Sequence, residues 1–251
     1  MNTSEPRSAA DGYQGYTEWK HWQGTFQASQ RDARYFDAEF RDLLLAGQRV
    51  LEIGFGEGRF MDWAKTQGAT VEGLEINPEM LAAADRHGHV AHNLQLDSLV
   101  ATGARYDLIV AFDVLEHWNT DELIANFRAI ATLLHSGGRF LARFPNGHSP
   151  FGRVYQHGDF SHRSVLSCYK IGYLAMLSGL EVIRISDAAR VSSKPGTLRA
   201  LRHRWLGWQR KRIERRIARL YGTPRLPLGP NLVAVLRKPA SNEDSTRETE
   251  Q

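Results

Sequence analysis

The sequence has a single cysteine, Cys168, among 251 residues. An internal disulfide is therefore excluded, and the chain suits a reducing compartment. No run reaches the eighteen or so apolar residues that a membrane-spanning helix needs. Residues 1–11, MNTSEPRSAAD, lack the apolar core of a secretory signal, and no internal repeat is visible. Acid is scarce in one place. From Lys194 to Arg219 ten basic residues stand against one acid, Glu214, a net of +9; since the whole chain carries +4, the rest sums to −5. A mildly acidic body with one basic segment is not the profile of a general nucleic-acid binder. These absences make a cytoplasmic protein the expectation, with the basic segment able to draw it to the inner membrane face.

What is present is ordinary for a folded domain: 42% hydrophobic and 24% charged residues, and length for one sizeable core. Tyr13, Tyr16, Trp19, Trp22 and Phe26 punctuate a polar start. A helical pattern follows over RDARYFDAEFRDLLLAG, stopped by Gly47. Strands and helices then alternate. RVLEIG, ATVEGLE, HVAHN, YDLIVAF and RFLARF read as strands. RFMDWAKTQ, PEMLAAADRH and TDELIANFRAIATLL read as helices, the last with Thr120 as N-cap and closed by Gly137 and Gly138. After Phe144 come a long polar loop, a helix near 167–178, the strand LEVIRI, the basic segment and a final strand, NLVAVLRK. The alternation predicts an α/β fold: a Rossmann-like, doubly wound, mostly parallel sheet of about seven strands with an antiparallel last strand.

VLEIGFGEGRF, residues 50–60, places Gly54, Gly56 and Gly58 where the first strand turns into its helix. Open α/β sheets bind ligands at that point. Dinucleotide sites use G-x-G-x-x-G, whereas the spacing here is G-x-G-x-G. Glu52 and Glu57 would repel a pyrophosphate but suit a cofactor bearing an ammonium and a sulfonium. Glu75, at the end of the second strand, is placed to take ribose hydroxyls in either case.

VLEIGFGEGRF, VEGLEINPEM and YDLIVAFDVLEHW, in that order and spacing, resemble the class I S-adenosylmethionine-dependent methyltransferases over roughly residues 45–185. The resemblance implies S-adenosylmethionine as cofactor. It puts Glu52, Gly54 and Gly56 at the methionine end and Glu75 on the ribose. Ile76 and Met80 would flank the adenine, Asn93 and Leu94 would lie beside it with Asp97 as a second candidate, and Phe112 would lie under the methionyl part. Asn93 stands where an acid is common. DVLEH, PNGH, HGDFSHRS and GPNLVAVLRKP are similar to a branch holding ubiquinone-type O-methyltransferases and bacterial cell-envelope glycan methyltransferases. The reaction implied is methyl transfer to an oxygen of a sugar or lipid-linked cell-envelope intermediate. A small quinone-type acceptor, or a non-catalytic S-adenosylmethionine-binding protein, are the other readings. The organisation expected is an aromatic-rich lid at 1–30, a methyltransferase domain at 31–238 with a basic helical insertion at about 194–222, and a disordered tail at 239–251.

His117, His148, His157, Asp159 and His162 follow the ends of the fourth and fifth strands and can converge near the reacting centre. In-line methyl transfer needs alignment, and a base when the acceptor is a weakly acidic hydroxyl. A histidine, with an unperturbed pKa of about 6.5, suits that role. Asp159 and His162 can hold one imidazole tautomer, so His117, Asp159 and His162 are the candidate catalytic residues. Asp113, Glu116 and His117 form D-x-x-E-H, resembling the E-x-x-E-H with which some methyltransferases hold a divalent ion against a substrate diol. A loop histidine would complete a site for Mg²⁺ or Mn²⁺. The structural alternative is that these groups tie down a long loop.

In the basic segment, Leu198, Leu201, Trp205 and Trp208 fall at helical spacing, and Ile213, Ile217 and Leu220 continue after a slip near Gly207. A basic amphipathic helix with tryptophan reads as a membrane-surface element. A helix packed on the body is the main alternative. RNA binding is the other, with no accompanying motif. The partners expected are thus a small-molecule, glycan or lipid-linked acceptor and an anionic membrane, with nucleic acid disfavoured.

Overall fold

A computed structural model describes residues 16–191 and 198–240. Residues 1–15 of the expected lid, the start of the basic insertion, and residues 241–251 of the expected tail lie outside them. Seven strands form one sheet: β1 (Arg49–Ile53), β2 (Thr70–Leu74), β3 (Val90–His92), β4 (Tyr106–Phe112), β5 (Leu134–Pro145), β6 (Glu181–Asp187) and β7 (Asn231–Arg237). Their order is β3-β2-β1-β4-β5-β7-β6. β1 to β5 run parallel, and β7 lies antiparallel between β5 and β6. Val50, Leu51 and the run from Leu108 to Ala111 are fully or almost fully buried, as central strands covered on both faces must be.

Helices cover both faces. On one side α5 (Leu96–Ala101), α6 (Thr120–Leu133) and α8 (Cys168–Ser178) bring Leu99, Phe127, Ile130 and Ile171 onto the sheet. On the other, α2 (Gln30–Glu39), its C-cap Phe40 and α3 (Arg59–Thr66) pack Phe36, Phe40, Phe60 and Trp63 beneath Val50 and Val110. α4 (Pro78–Arg86) adds Met80 to a smaller cluster with Phe26 and Phe55. The remaining helices are α1 (Tyr16–Trp19), α7 (Arg153–His157) and α9 (Leu198–Tyr221).

Several local expectations are corrected. α2 ends at Glu39, well before Gly47. The N-cap of α6 is Asn119, not Thr120: its side chain accepts from the Glu122 N–H, and Glu122 accepts from the Asn119 N–H in return. Gly137 and Gly138 do not close α6. β5 runs through them because Gly137 N–H donates to Lys238 O and Lys238 N–H to Gly138 O, extending the edge with β7. α9 is continuous through Gly207, so the slip in its apolar spacing moves Ile213, Ile217 and Leu220 round the helix without breaking it.

Because β1 is flanked by β2 and β4, consecutive crossovers leave it on opposite sides, which opens a crevice at the carboxyl ends of β1 and β4. The loop after β5 borders the same end. Its Asn146 Nδ2 donates to Pro227 O (3.0 Å) and Gly229 O (2.9 Å), and Ser149 Oγ donates to Leu228 O (2.7 Å). Gly229 N–H in turn donates to Asp187 Oδ1 at 2.7 Å. These bonds tie the chain returning from α9 to the end of β6 and to the loop.

Candidate active site

The crevice is a cavity of about 740 Å³, and Glu52, Gly54, Gly56, Glu75, Ile76 and Phe112 are among the residues on its wall. The glycine turn is shaped by need. Gly54 and Gly56 have φ of +65° and +51°, and a Cβ would meet Val114 Cγ2 at 2.6 Å at the first and the Trp22 ring at 3.1 Å at the second. Glu75 holds the turn from across β2: Oε2 accepts from Gly56 N–H at 2.9 Å, and Oε1 accepts from Ile76 N–H (2.8 Å) and Asn77 N–H (3.0 Å). A carboxylate has about four acceptor positions, so Glu75 keeps capacity for hydroxyl donors from the cavity.

Glu52 is the group whose state points to a ligand. It is 3% exposed within β1, and its Oε2 accepts no hydrogen bond. Burial first, and then the charge of Glu75, push its carboxyl well above the usual range. A buried carboxyl with an unmet acceptor on a cavity wall is costly without a cationic donor. The ammonium of S-adenosylmethionine is such a donor, so the residues present fit that cofactor.

Other expected contacts divide. Ile76 and Leu94 line the cavity. Met80 is 4% exposed and packs with Phe26 and Phe55, behind the wall. Asn93 and Asp97 are exposed and off the cavity, a correction to their expected role. β3 stops at His92, and Asp97 sits in the first turn of α5, where its Oδ1 accepts from Ser98 N–H at 2.7 Å. Gln95 and Leu96 line the cavity there instead.

Residues 16–29 cross the turn from outside. Trp22 lies over Gly56, Gln23 N–H donates to Glu57 Oε1 (3.0 Å), and Ala28 N–H donates to Asp62 Oδ2 (2.9 Å). Lys20 Nζ reaches Asp159 Oδ2 at 3.1 Å. Sequence reasoning did not single out Lys20, an unremarked cation among aromatics.

The polar cluster forms where β4 ends. Glu116 and His117 lie in a tight 3₁₀ turn, Leu115–His117, and His162 comes from the loop after α7. The His117 and His162 rings meet edge to face, 4.8 Å between centroids. His162 Nδ1 lies 3.2 Å from Gln156 O. A carbonyl only accepts, so Nδ1 carries the proton, and Nε2 is left to take one. Nε2 lies 4.0 Å from Glu116 Oε1 and 3.8 Å from Asp159 Oδ2, near enough for the Asp159 carboxylate to stabilise an imidazolium. Contrary to the expectation from the sequence, the tautomer is thus set by the Gln156 carbonyl and not by Asp159. Asp159 is engaged by the N–H and hydroxyl of Ser161 and by Lys20. Burial raises its carboxyl, but those bonds outweigh it and hold it well below the usual range.

Burial and then His162 lower His117 to about 4, so it is neutral at physiological pH. Glu116 is 1% exposed with neither carboxyl oxygen hydrogen-bonded, and burial, then Asp113, raise it well above the usual range. Single ligand atoms of Glu116, His117 and His162 lie within 4.8 Å of one another. Asp113 is not in that cluster, a correction to the D-x-x-E-H expectation. It forms a two-point ion pair with Arg143, Nε donating to Oδ1 at 3.0 Å and Nη2 bonding Oδ2. His148 packs on Tyr169 and His157 is exposed; neither lines the cavity. Arg143 was also missed: its guanidinium lies 5.1 Å from the Phe112 ring and 5.2 Å from the Tyr35 ring, on the cavity wall.

Sheet order, glycine turn and acidic strand end together define a class I S-adenosylmethionine-dependent methyltransferase. The chain belongs to the methyltransferase-domain family, whose model matches residues 27–216. Among curated relatives, the ubiquinone biosynthesis O-methyltransferase of Methylobacterium sp. (strain 4-46) is 32% identical over 104 residues, 39% of this chain and 41% of that one. That of Aeromonas salmonicida (strain A449) is 33% identical over 102 residues, 38% and 42% of the two chains. The similarity thus spans about two fifths of those relatives' length. Two solved structures share the fold. A SAM-dependent methyltransferase from Archaeoglobus fulgidus has a TM-score of 0.61 at 16% identity, covering 90% of this chain and 99% of its own. The CcbJ methyltransferase from Streptomyces caelestis has a TM-score of 0.59 at 18% identity, covering 91% and 98%.

Proposed function

We propose that this methyltransferase acts on a hydroxyl oxygen of a sugar or lipid-linked cell-envelope intermediate. The observation that carries the oxygen acceptor is His162, whose Nδ1 is committed to Gln156 O and whose Nε2 faces the cavity cluster between two carboxyls. S-adenosylmethionine supplies an electrophilic methyl group on its sulfonium. The chain's own work is positioning and proton handling. Glu52, Gly54 and Gly56 would hold the methionine end, Glu75 the ribose, and Ile76 and Leu94 the adenine. Phe112 would lie under the methionyl part. His162 Nε2, with neutral His117 beside it, would take the acceptor's proton, and the Asp159 carboxylate would stabilise the resulting imidazolium.

A carrier lipid is supported by the cavity mouth, where Val154 and Tyr155 line the opening while largely exposed, and Phe160 is fully exposed beside Asp159. Incubating the protein with labelled S-adenosylmethionine and a cell-envelope extract should transfer label to a lipid-extractable or glycan product. Label confined to small soluble phenols would reject this acceptor class.

A second reading, a quinone-type acceptor, is favoured by the names of the partial relatives and by the convergence of Glu116, His117 and His162, a donor set able to hold Mg²⁺ or Mn²⁺ against a catechol. Activity on a catechol that EDTA abolishes and Mn²⁺ restores would select it.

A further inference from the structure

The basic insertion is built in the structure as a helix with two opposed faces. Glu214 is buried and accepts from Arg225 Nε (3.2 Å) and Nη2 (2.9 Å), while Gly207 and Ala218, on the same side, are half-buried. That side faces the body. Trp205 precedes Glu214 by nine residues, about two and a half turns, and so lies on the opposite side. From Leu198 the outward stripe advances in steps of three or four residues through Leu201, Trp205, Trp208, Arg212, Arg216 and Arg219, and all of these are exposed. Trp205 is 56% exposed and Trp208 48%. The Arg212 guanidinium sits 4.8 Å from the Trp208 ring, joining the apolar half of the stripe to the cationic half.

We propose that this stripe seats the protein on an anionic lipid bilayer. Indole and leucyl side chains enter the headgroup–acyl boundary while arginines one and two turns on meet lipid phosphates. The charge complementarity is specific to this element, because the rest of the chain is net acidic. A nucleic acid would offer phosphates to the arginines but no apolar phase to Leu198, Leu201 and the two tryptophans. No helix among the described residues is long and apolar enough to cross a membrane. The root of α9 fixes the consequence. Asp187 and Asn231, at the insertion's two ends, lie at the same edge as Pro145, and Asn146 and Ser149 clasp the returning chain. The bilayer is thereby placed beside the loop that borders the cavity mouth, which gives a lipid-borne acceptor a short route inward. That last consequence rests on the acceptor class proposed above, whereas the surface itself does not.

The test is vesicle co-sedimentation of the full chain, which needs no turnover. The probes are phosphatidylglycerol-containing vesicles, pure phosphatidylcholine vesicles and a mixed-sequence single-stranded RNA. Two variants accompany the wild type: Trp205→Ser with Trp208→Ser, and Arg212→Gln with Arg216→Gln and Arg219→Gln. Undiminished S-adenosylmethionine binding reports that each is folded. The wild type should pellet with anionic vesicles, release with added salt, and pellet little with neutral ones. The arginine variant should lose about 100-fold in vesicle affinity, and the tryptophan variant at least about tenfold. Either variant pelleting like the wild type, equal pelleting with neutral vesicles, or tighter binding to RNA than to anionic vesicles would overturn the proposal.

Discussion

Lys20 Nζ lies 3.1 Å from Asp159 Oδ2, and the pair joins the N-terminal segment to the loop that carries His162. Lys20 is one-third exposed whereas Asp159 is almost buried, so removing the cation takes an ion-pair partner from a carboxylate in poor solvent. Lys20→Met should loosen the segment over the glycine turn, lower the melting temperature, and weaken cofactor binding by about three- to tenfold. Stopped-flow fluorescence, using Trp19 and Trp22 as reporters, should show faster cofactor release. An unchanged release rate would leave the pair without a role in closure.

Glu75→Ala should weaken S-adenosylmethionine binding by about 1.5–3 kcal/mol, as expected for hydrogen bonds to a charged group. The same carboxylate also accepts three backbone N–H groups, so a modest fall in melting temperature should accompany the loss. Calorimetry showing wild-type affinity in a folded Glu75→Ala protein would remove Glu75 from the cofactor site.

Glu52 should make cofactor binding pH-dependent. Burial raises its folded-state pKa well above the unfolded value, so the folded chain holds a proton that the unfolded chain has released above about pH 4.5. Its contribution to stability is therefore present at low pH and lost as pH rises through the folded value. A bound ammonium favours the ionised form, so binding should expel that proton, and affinity should rise with pH across the window. Titrations in two buffers of different ionisation heat should reveal proton release in the wild type and none in Glu52→Gln. Equal heats in both buffers for the wild type would mean that Glu52 is already ionised or is not at the ammonium.

His162→Ala should lower turnover by about 10²-fold, as for a missing general base, with cofactor affinity preserved. His117→Ala should cost less, because His117 supports the ring rather than sharing its Gln156 bond. Wild-type rates in both variants would leave alignment alone to account for transfer.

Much of the sheet was legible because buried parallel strands leave continuous apolar runs such as YDLIVAF, and glycines mark the turn that follows β1. The short α5 and α7 were not, since six and five residues carry too little periodicity to read. That Glu52, Gly54, Gly56 and Glu75 share one cavity wall was legible because they sit at two adjacent strand ends. Lys20, Gln156 and Arg143 were not, because each matters through a partner distant in sequence or, for Gln156, through a backbone carbonyl that no side chain announces. Asp113 misled for the same reason: its spacing to Glu116 suited a ligand set, but Arg143, thirty residues on, captures it.

The clasp made by Asn146, Ser149 and Asp187 on residues 227–229 bears on how this chain can change over time. With both ends of the insertion pinned at the sheet edge, its middle is free to lengthen, shorten or be exchanged, since closing a longer loop between fixed points adds only about 0.6 kcal/mol per doubling. Lineages could therefore replace the span between Leu198 and Tyr221 wholesale while the cavity wall keeps its shape.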